Sequence, residues 1–352
     1  MKAGKLPPEL LERLLARLPS DPRLLLGPGI GRDAAAIDIG GGRALVAAAD
    51  PVTFAQDQIG AYAVQVNAND VACLGARPAW FLATVLLPGD TTPDVAEEIF
   101  EQIRTACEAL NVALIGGHTE VTLGIDRPIV AGTMLGEVDA KALVRPQNAR
   151  AGDHLLLTKG IAIEGTALLA REAPQALRDR GVHASVIESA WRLLTEPGIS
   201  VVPDAHAACR AVPPHAMHDP TEGGLATALL ELAQAAGLQA RVRLADVPVL
   251  EETTAICAAL DLDPLGLLAS GALLIAVGSE QCDAIRQALE TEEIEAACIG
   301  DLASGEGGVI IDAWDTRPLP SFERDELARV LESFAGQGGL PAAGKAEHEK
   351  PR

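Results

Sequence analysis

Apolar positions recur at two spacings along this chain, and stretches of the two kinds interleave from one end to the other. Residues 92–110 predict the clearest helix. Thr92 stands at the N-cap and Pro93 at the first helical position, and Val95, Ile99, Ile103, Ala106 and Leu110 form one apolar stripe. Residues 59–74 have the same period and stop at Gly75 and Pro78, while residues 8–18 predict a short amphipathic helix between prolines. Residues 165–172 and 185–194 predict two more helices. Another opens near Gly223, carries Leu225, Leu229 and Leu232 on one side, and ends at Gly237. Short continuous apolar runs at 44–49, 80–87, 112–115, 128–138, 154–158, 272–277 and 308–311 predict buried strands.

The chain has 352 residues, more than one hydrophobic core usually serves, so two domains are expected. The polar, turn-forming segment RPQNARAGD (145–153) marks the boundary, giving domains 1–148 and 149–335. Residues 336–352, rich in Gly, Ala and charge, are expected to be a disordered tail. No run is long and apolar enough to span a membrane, and the first residues lack a signal-peptide pattern, so a cytoplasmic protein is expected. The net charge of −21 argues against nucleic acid as a partner. It leaves room for nucleotides, because Mg²⁺ bridges carboxylates to phosphates. The six cysteines are scattered with no CxxC pair, which predicts buried reduced thiols rather than a disulfide framework or a zinc site.

Residues that could carry chemistry lie mostly at the ends of these elements. In MHDPTEGG (217–224) two glycines open a helix whose first N–H groups and dipole favour an anion. Phosphate binding and plain helix capping both fit that turn, and Asp219 just upstream can hold a metal or act as the cap. Asn69 and Asp70 are adjacent polar groups near the end of an apolar helix, costly there unless satisfied. Asp33 follows the turn GPGIGRDAA, and Asp50 ends a strand, where carboxylates commonly converge on a ligand. In GGHTE (116–120), His118 could meet nucleotide or substrate and Glu120 a metal, or the two glycines simply make a bend with His118 exposed. Lys159 and Glu164 of TKGIAIEGT are further candidates for a loop facing the site. The sequence holds no GxxxxGK[ST], GxSxG or HExxH motif, and the glycines near residue 30 lack the preceding strand of a dinucleotide fingerprint.

The order GxGxxxDAA, strand–Asp, VNANDVACLGARP, strand–GGHTE, LTKG…EGT and MHDPTEGGLATALLELA resembles the aminoimidazole ribonucleotide synthetase-like superfamily over roughly residues 25–315. Within it, DLDPLGLLASGALL and ACIGDL make the hydrogenase maturation E protein the nearest likeness. The resemblance implies a two-domain α+β fold, with an N-terminal domain contributing to a dimeric β-barrel and a C-terminal α/β sandwich domain. It implies ATP and Mg²⁺ as cofactors and a homodimer. Asp33, Asp50, Asp70 and Asp219 would be the metal and phosphate ligands. Asn69, Thr221, Gly223 and Gly224, with Gly29, Gly31 and Gly117 of the glycine motifs, would lie along the nucleotide, and His118, Glu120, Lys159 and Glu164 would be the catalytic candidates. The implied chemistry is phosphoryl transfer that activates a carbonyl or amide oxygen of a small-molecule or protein-borne acceptor, with a maturation partner protein.

The departures shape that expectation. The maturation protein carries its acceptor on a C-terminal cysteine, whereas this sequence ends GKAEHEKPR, so chemistry on its own terminal thiol is not expected. His118 stands where relatives carry an acid, Arg32 replaces an acid beside Asp33, and Ala269–Ser270 replaces an Asn–Glu type of pair. Two alternatives stay open: a small-molecule kinase or ligase of the purine or thiamine type, and a non-catalytic nucleotide-binding maturation or regulatory subunit.

Overall fold

A computed structural model describes residues 4–311 and 315–335. The expected tail, 336–352, lies outside the described residues. The first half holds seven strands: β1 (Leu24–Leu26), β2 (Ala35–Gly40), β3 (Arg43–Ala48), β4 (Pro51–Val52), β5 (Arg77–Leu87), β6 (Ala113–Val121) and β7 (Ile129–Asp139). They run in the order β1-β2-β3-β7-β5-β6, with β4 also on β7, and every pairing is antiparallel except β5 with β6. Helices α1 (Pro8–Leu15), α2 (Ile59–Cys73) and α3 (Pro93–Ala109) belong to this half. Buried and half-buried residues alternate along β7, the pattern of a sheet covered on one face. α2 supplies that cover, and α3 packs on α2 and β6.

The second half carries β8 (Asp153–Thr158), β9 (Ala216–His218), β10 (Gln239–Val242), β11 (Leu274–Gly278), β12 (Ala296–Ala303), β13 (Gly307–Ile311) and β14 (Thr316–Pro318). Their order is β14-β13-β10-β12-β8-β11-β9. The helices are α4 (Ile163–Glu172), α5 (Pro174–Asp179), α6 (Ala184–Arg192), α7 (Val202–Ala211), α8 (Gly224–Ala236), α9 (Glu251–Leu260), α10 (Cys282–Thr291) and α11 (Glu326–Ala335). Leu155–Leu157 of β8 and Leu274–Val277 of β11 read as unbroken apolar runs because both sheet faces are covered. Leu155, Leu157, Leu274 and Ala276 share a core with Leu225 and Leu229 of α8. Leu156, Ile275 and Val277 share one with Ala205 of α7 and Ile285 of α10. That second core continues into the first half through α2, which touches β7, α3, α7 and β9 and is buried on nearly every side.

The two-domain α+β class is the one the sequence predicts, and the differences are local. The run at 112–115 does not end at GGHTE: β6 continues to Val121. Gly116 and Gly117 take φ of +152° and +148°, and a Cβ on Gly117 would sit 1.9 Å from the Ala83 oxygen, so glycine lets β6 lie against β5, and of the two readings of GGHTE the bend is not taken. Every residue of β6 is exposed, and within one chain the sheet is open at this strand. The helix expected over 8–18 stops at Leu15. Among the described residues, no helix is long and apolar enough to cross a membrane.

Candidate active site

Four aspartates meet where the two halves touch, each brought by a different element. Asp219 follows β9, Asp33 precedes β2, Asp50 lies between β3 and β4, and Asp70 sits in the last turn of α2. Gly31 explains how Asp33 arrives: its φ is +67°, and a Cβ there would meet the Glu231 backbone oxygen at 2.5 Å. The turn therefore seats directly on α8 as only glycine allows. Asn67 of α2 holds the backbone of Asp50, accepting from its N–H at 2.8 Å and donating to its carbonyl at 3.1 Å. Cys73, one turn after Asp70, donates its thiol to Asp219 Oδ1 at 3.6 Å.

These carboxyls strain against one another. Asp33 Oδ2, Asp70 Oδ2 and Asp219 Oδ2 are buried without a hydrogen-bond partner. Burial, then the charges of Asp219, Asp50 and Asp33, hold Asp70 well above the usual carboxylate range. Burial, then Asp33, lifts Asp219 to about 7, and burial also raises Asp50, the exposed lip of the cluster. Asp50 and Asp70 stand close enough for each to act on the other's carboxyl. Orphaned buried oxygens from several elements, with their charges in mutual repulsion, fit a hard divalent cation that takes carboxylate oxygens. Donor atoms of Asp33, Cys73 and Asp219 already lie within 4.8 Å of one another.

One cation is built into the wall. His218 Nδ1 lies 2.6 Å from Asp33 Oδ1, out of line for a hydrogen bond, so the contact is an ion pair; Nε2 lies 3.2 Å from Glu231 Oε2. Burial pulls the imidazole pKa down, but Asp33 and Glu231 outweigh it and hold it at about 10. Glu231 is pushed up by burial and brought down to about 2 by His218 and Lys5, whose Nζ is 3.3 Å away. Lys5 also donates its backbone N–H to Glu222 at 3.0 Å, strapping the N-terminal segment over the HDPTEGG turn.

The remaining sequence candidates divide. Thr221 accepts from the Gly224 N–H at 3.0 Å, and the Gly223 N–H donates to Asp325 Oδ2 at 2.7 Å. A carboxylate thus occupies part of the turn read as a phosphate seat. Asp325 also accepts from Leu268 and Leu327 and is lifted by burial to about 7. Glu164 is buried with Oε2 unpartnered and is lifted to about 7 by burial, then by acids that include Asp219. Asn69 has both ends of its amide engaged across the halves, donating to Ile199 O and accepting from Val201 N–H, each at 2.8 Å. Lys159 Nζ is tied to Ser200 O at 2.7 Å and Asp204 at 3.2 Å. The side chain of Arg32 fills the space beside Gly29. His118 and Glu120 pair with each other at 3.1 Å on exposed β6, with Gly117 beside them. Sequence reasoning missed His218, Glu231, Lys5, Cys73, Asn67 and Asp325. His218 lay inside the quoted motif, and Glu231 is the only charged residue in GLATALLELAQAA.

Comparison with known proteins gives the family signal. The profile "AIR synthase related protein, N-terminal domain" matches residues 31–138, and its C-terminal counterpart matches 150–313. Carbamoyl dehydratase HypE of Azotobacter vinelandii is 30% identical over 263 residues, 73% of each chain. Selenide, water dikinase of Paraburkholderia xenovorans is 29% identical over 340 residues, 87% of this chain and 92% of that one. Among solved structures, hydrogenase maturation protein HypE in complex with ATP superposes with a TM-score of 0.64 at 26% identity, over 93% of this chain and 98% of that one. A HypE–HypF complex superposes at 0.72 with 19% identity, covering 89% and 99%, which speaks for the fold alone.

Proposed function

Because the chain belongs to the AIR synthase-related family over both of its halves, we propose that it is an ATP- and Mg²⁺-dependent enzyme of the HypE type. In this reading it phosphorylates a carbonyl or amide oxygen on an acceptor. The observation that carries it is the set of unpartnered carboxylate oxygens on Asp33, Asp70 and Asp219. With Asp50, these groups would hold Mg²⁺, which would supply positive charge against the phosphates and the charge that builds during transfer. His218, in contact with Asp33 Oδ1, aims that carboxylate inward. Thr221, Gly223 and Gly224 line the phosphate end, where an incoming phosphate competes with Asp325 for the Gly223 N–H. Glu164, with its pKa near neutrality, is suited to take a proton from the acceptor nitrogen. Lys159, bound to Ser200 and Asp204, acts as a positioning residue.

The bonds balance as a dehydration. The γ-phosphoryl passes to the carbonyl oxygen and ADP leaves. That oxygen then departs in phosphate, the nitrogen gives up two protons, and a nitrile remains. Exposed β6, with His118 and Glu120, is the edge through which a second copy pairs, and a maturation protein that presents the acceptor is the expected partner. The likeness to a selenide, water dikinase supports a second reading, transfer to a small inorganic or metabolite nucleophile.

The experiment supplies ATP, Mg²⁺ and an S-carbamoyl thiol labelled with ¹⁸O at the carbonyl. The dehydration predicts ¹⁸O in the released phosphate. Unlabelled phosphate, formed at a rate independent of the acceptor, would overturn it, and a phosphorylated metabolite would favour the second reading.

A further inference from the structure

Away from the aspartate cluster, the fold gathers three soft donors that are distant in sequence. His154 lies on β8, Cys298 on β12 and Cys282 in the first turn of α10. Their ligating atoms all lie within 4.8 Å of one another. The pairing explains why they meet. Cys298 stands opposite Leu156, and His154 is two residues before Leu156 on the same strand. Alternation therefore puts both side chains on the sheet face that α7 and α10 cover. Cys282 is buried where α10 enters that cover, and the other two are half-buried, so the group has an open side.

We propose that His154, Cys282 and Cys298 form a binding site for a thiophilic transition-metal ion of the Zn²⁺ class, with its fourth position open to water or an external ligand. Zn–S bonds of about 2.3 Å and Zn–N bonds of about 2.0 Å place tetrahedral donors about 3.5–3.8 Å apart. With every donor pair already within 4.8 Å, closing takes an adjustment of at most about an ångström, within reach of the half-buried His154 and Cys298 side chains. Two thiolates and an imidazole select Zn²⁺ or a similar soft ion over Mg²⁺, which prefers oxygen. Two strands and a helix start hold the donors, a rigid frame of the sort a metal site needs. Burial lifts the Cys282 thiol to about 11, so its thiolate would form on binding of the metal, because a coordinating thiol is deprotonated by the ion.

The site is separate from the aspartates. β8 and β9 each pair antiparallel with β11, so they run parallel to one another. His154 opens β8, while Asp219 lies past the far end of β9. The two sites are therefore at opposite ends of the sheet. The cysteines are free, as the sequence predicts, and donors 128 and 16 residues apart form no local motif from which this cluster could be read.

Co²⁺, a spectroscopic stand-in for Zn²⁺, is titrated into the reduced full chain in excess Mg²⁺, which fills the oxygen site. The expected result is one Co²⁺ per chain with a thiolate-to-cobalt charge-transfer band of two-thiolate intensity. Cys298→Ser should halve the band, and Cys282→Ser with Cys298→Ser should abolish it. His154→Gln should keep the band, shift the visible ligand-field bands and weaken Zn²⁺ binding. Loss of both thiols should weaken Zn²⁺ by more than about 100-fold, beyond what losing a residue that only hydrogen-bonds to a ligand brings. Cys73→Ser should leave the band intact. A band that survives the double variant, disappears with Cys73→Ser, or never forms in chain shown to be folded and reduced would overturn the proposal. The double variant is checked by circular dichroism; if it unfolds, the single Cys298→Ser variant decides.

Discussion

Replacing Asp219 with asparagine should make the metal-free protein more stable, the reverse of what removing an ordinary buried group does. The folded carboxyl titrates at about 7 against 3.8 in an unfolded chain, chiefly through burial and then through Asp33. An acid whose folded pKa is raised holds more protons folded than unfolded between those two values. Stability therefore falls as pH rises from about 4 to about 7, and the full penalty stands above that. Roughly three units at about 1.36 kcal/mol each give a cost on the order of 4 kcal/mol at pH 8, an upper figure because Asp70 shares the same repulsion. At pH 5 the same reasoning leaves about 2 kcal/mol. Asparagine keeps an oxygen to accept from Cys73, so the substitution removes charge and little else. The assay is guanidinium unfolding of Asp219→Asn and wild type at both pH values in EDTA, then with Mg²⁺. Wild type should gain stability from Mg²⁺ at pH 8, and the variant should already be stable and gain little. A variant less stable than wild type at pH 8, or a difference that ignores pH, would refute the electrostatic account.

Three other outcomes follow from the same geometry. Gly31→Ala should cost about 1–3 kcal/mol in denaturant melts, because it adds a Cβ at positive φ against the Glu231 carbonyl. Asn69→Ala should cost about 1–3 kcal/mol by leaving the Ile199 carbonyl and Val201 N–H unpaired where the halves meet. The His218 imidazole should remain protonated at pH 8 in NMR titration. Its contribution is fully present below the unfolded pKa of 6.5 and is lost as pH rises through about 10, and neutrality at pH 8 would remove the cation from the site.

What the sequence revealed depended on whether the signal was local. Asp50, Asp70 and Asp219 stand beside elements whose period is readable, Asp33 follows a readable glycine turn, and the structure brings all four together. The partners that fix them were not readable. Lys5 meets Glu231 across 226 positions, and Asn69 meets Ile199 across 130, contacts that no spacing rule encodes. The polar pair in α2 was correctly marked as costly, yet its neighbour Asn67, not Asn69, holds Asp50. GGHTE was read as a strand end because the apolar run stops at Ile115, while here the glycines let the strand continue close against its neighbour. At the Gly223 turn, read either as a phosphate seat or as a plain cap, the Gly223 N–H is taken by the chain's own Asp325 carboxyl.

The most direct test of the aspartate site is calorimetric titration of ATP into the full chain, with and without Mg²⁺, for wild type, Asp70→Asn and Asp219→Asn. Nucleotide should bind in a Mg²⁺-dependent manner, and each substitution should weaken it by at least about tenfold, about 1.4 kcal/mol, while the fold is retained. Binding that needs no Mg²⁺, or that both variants keep at full strength, would contradict the account.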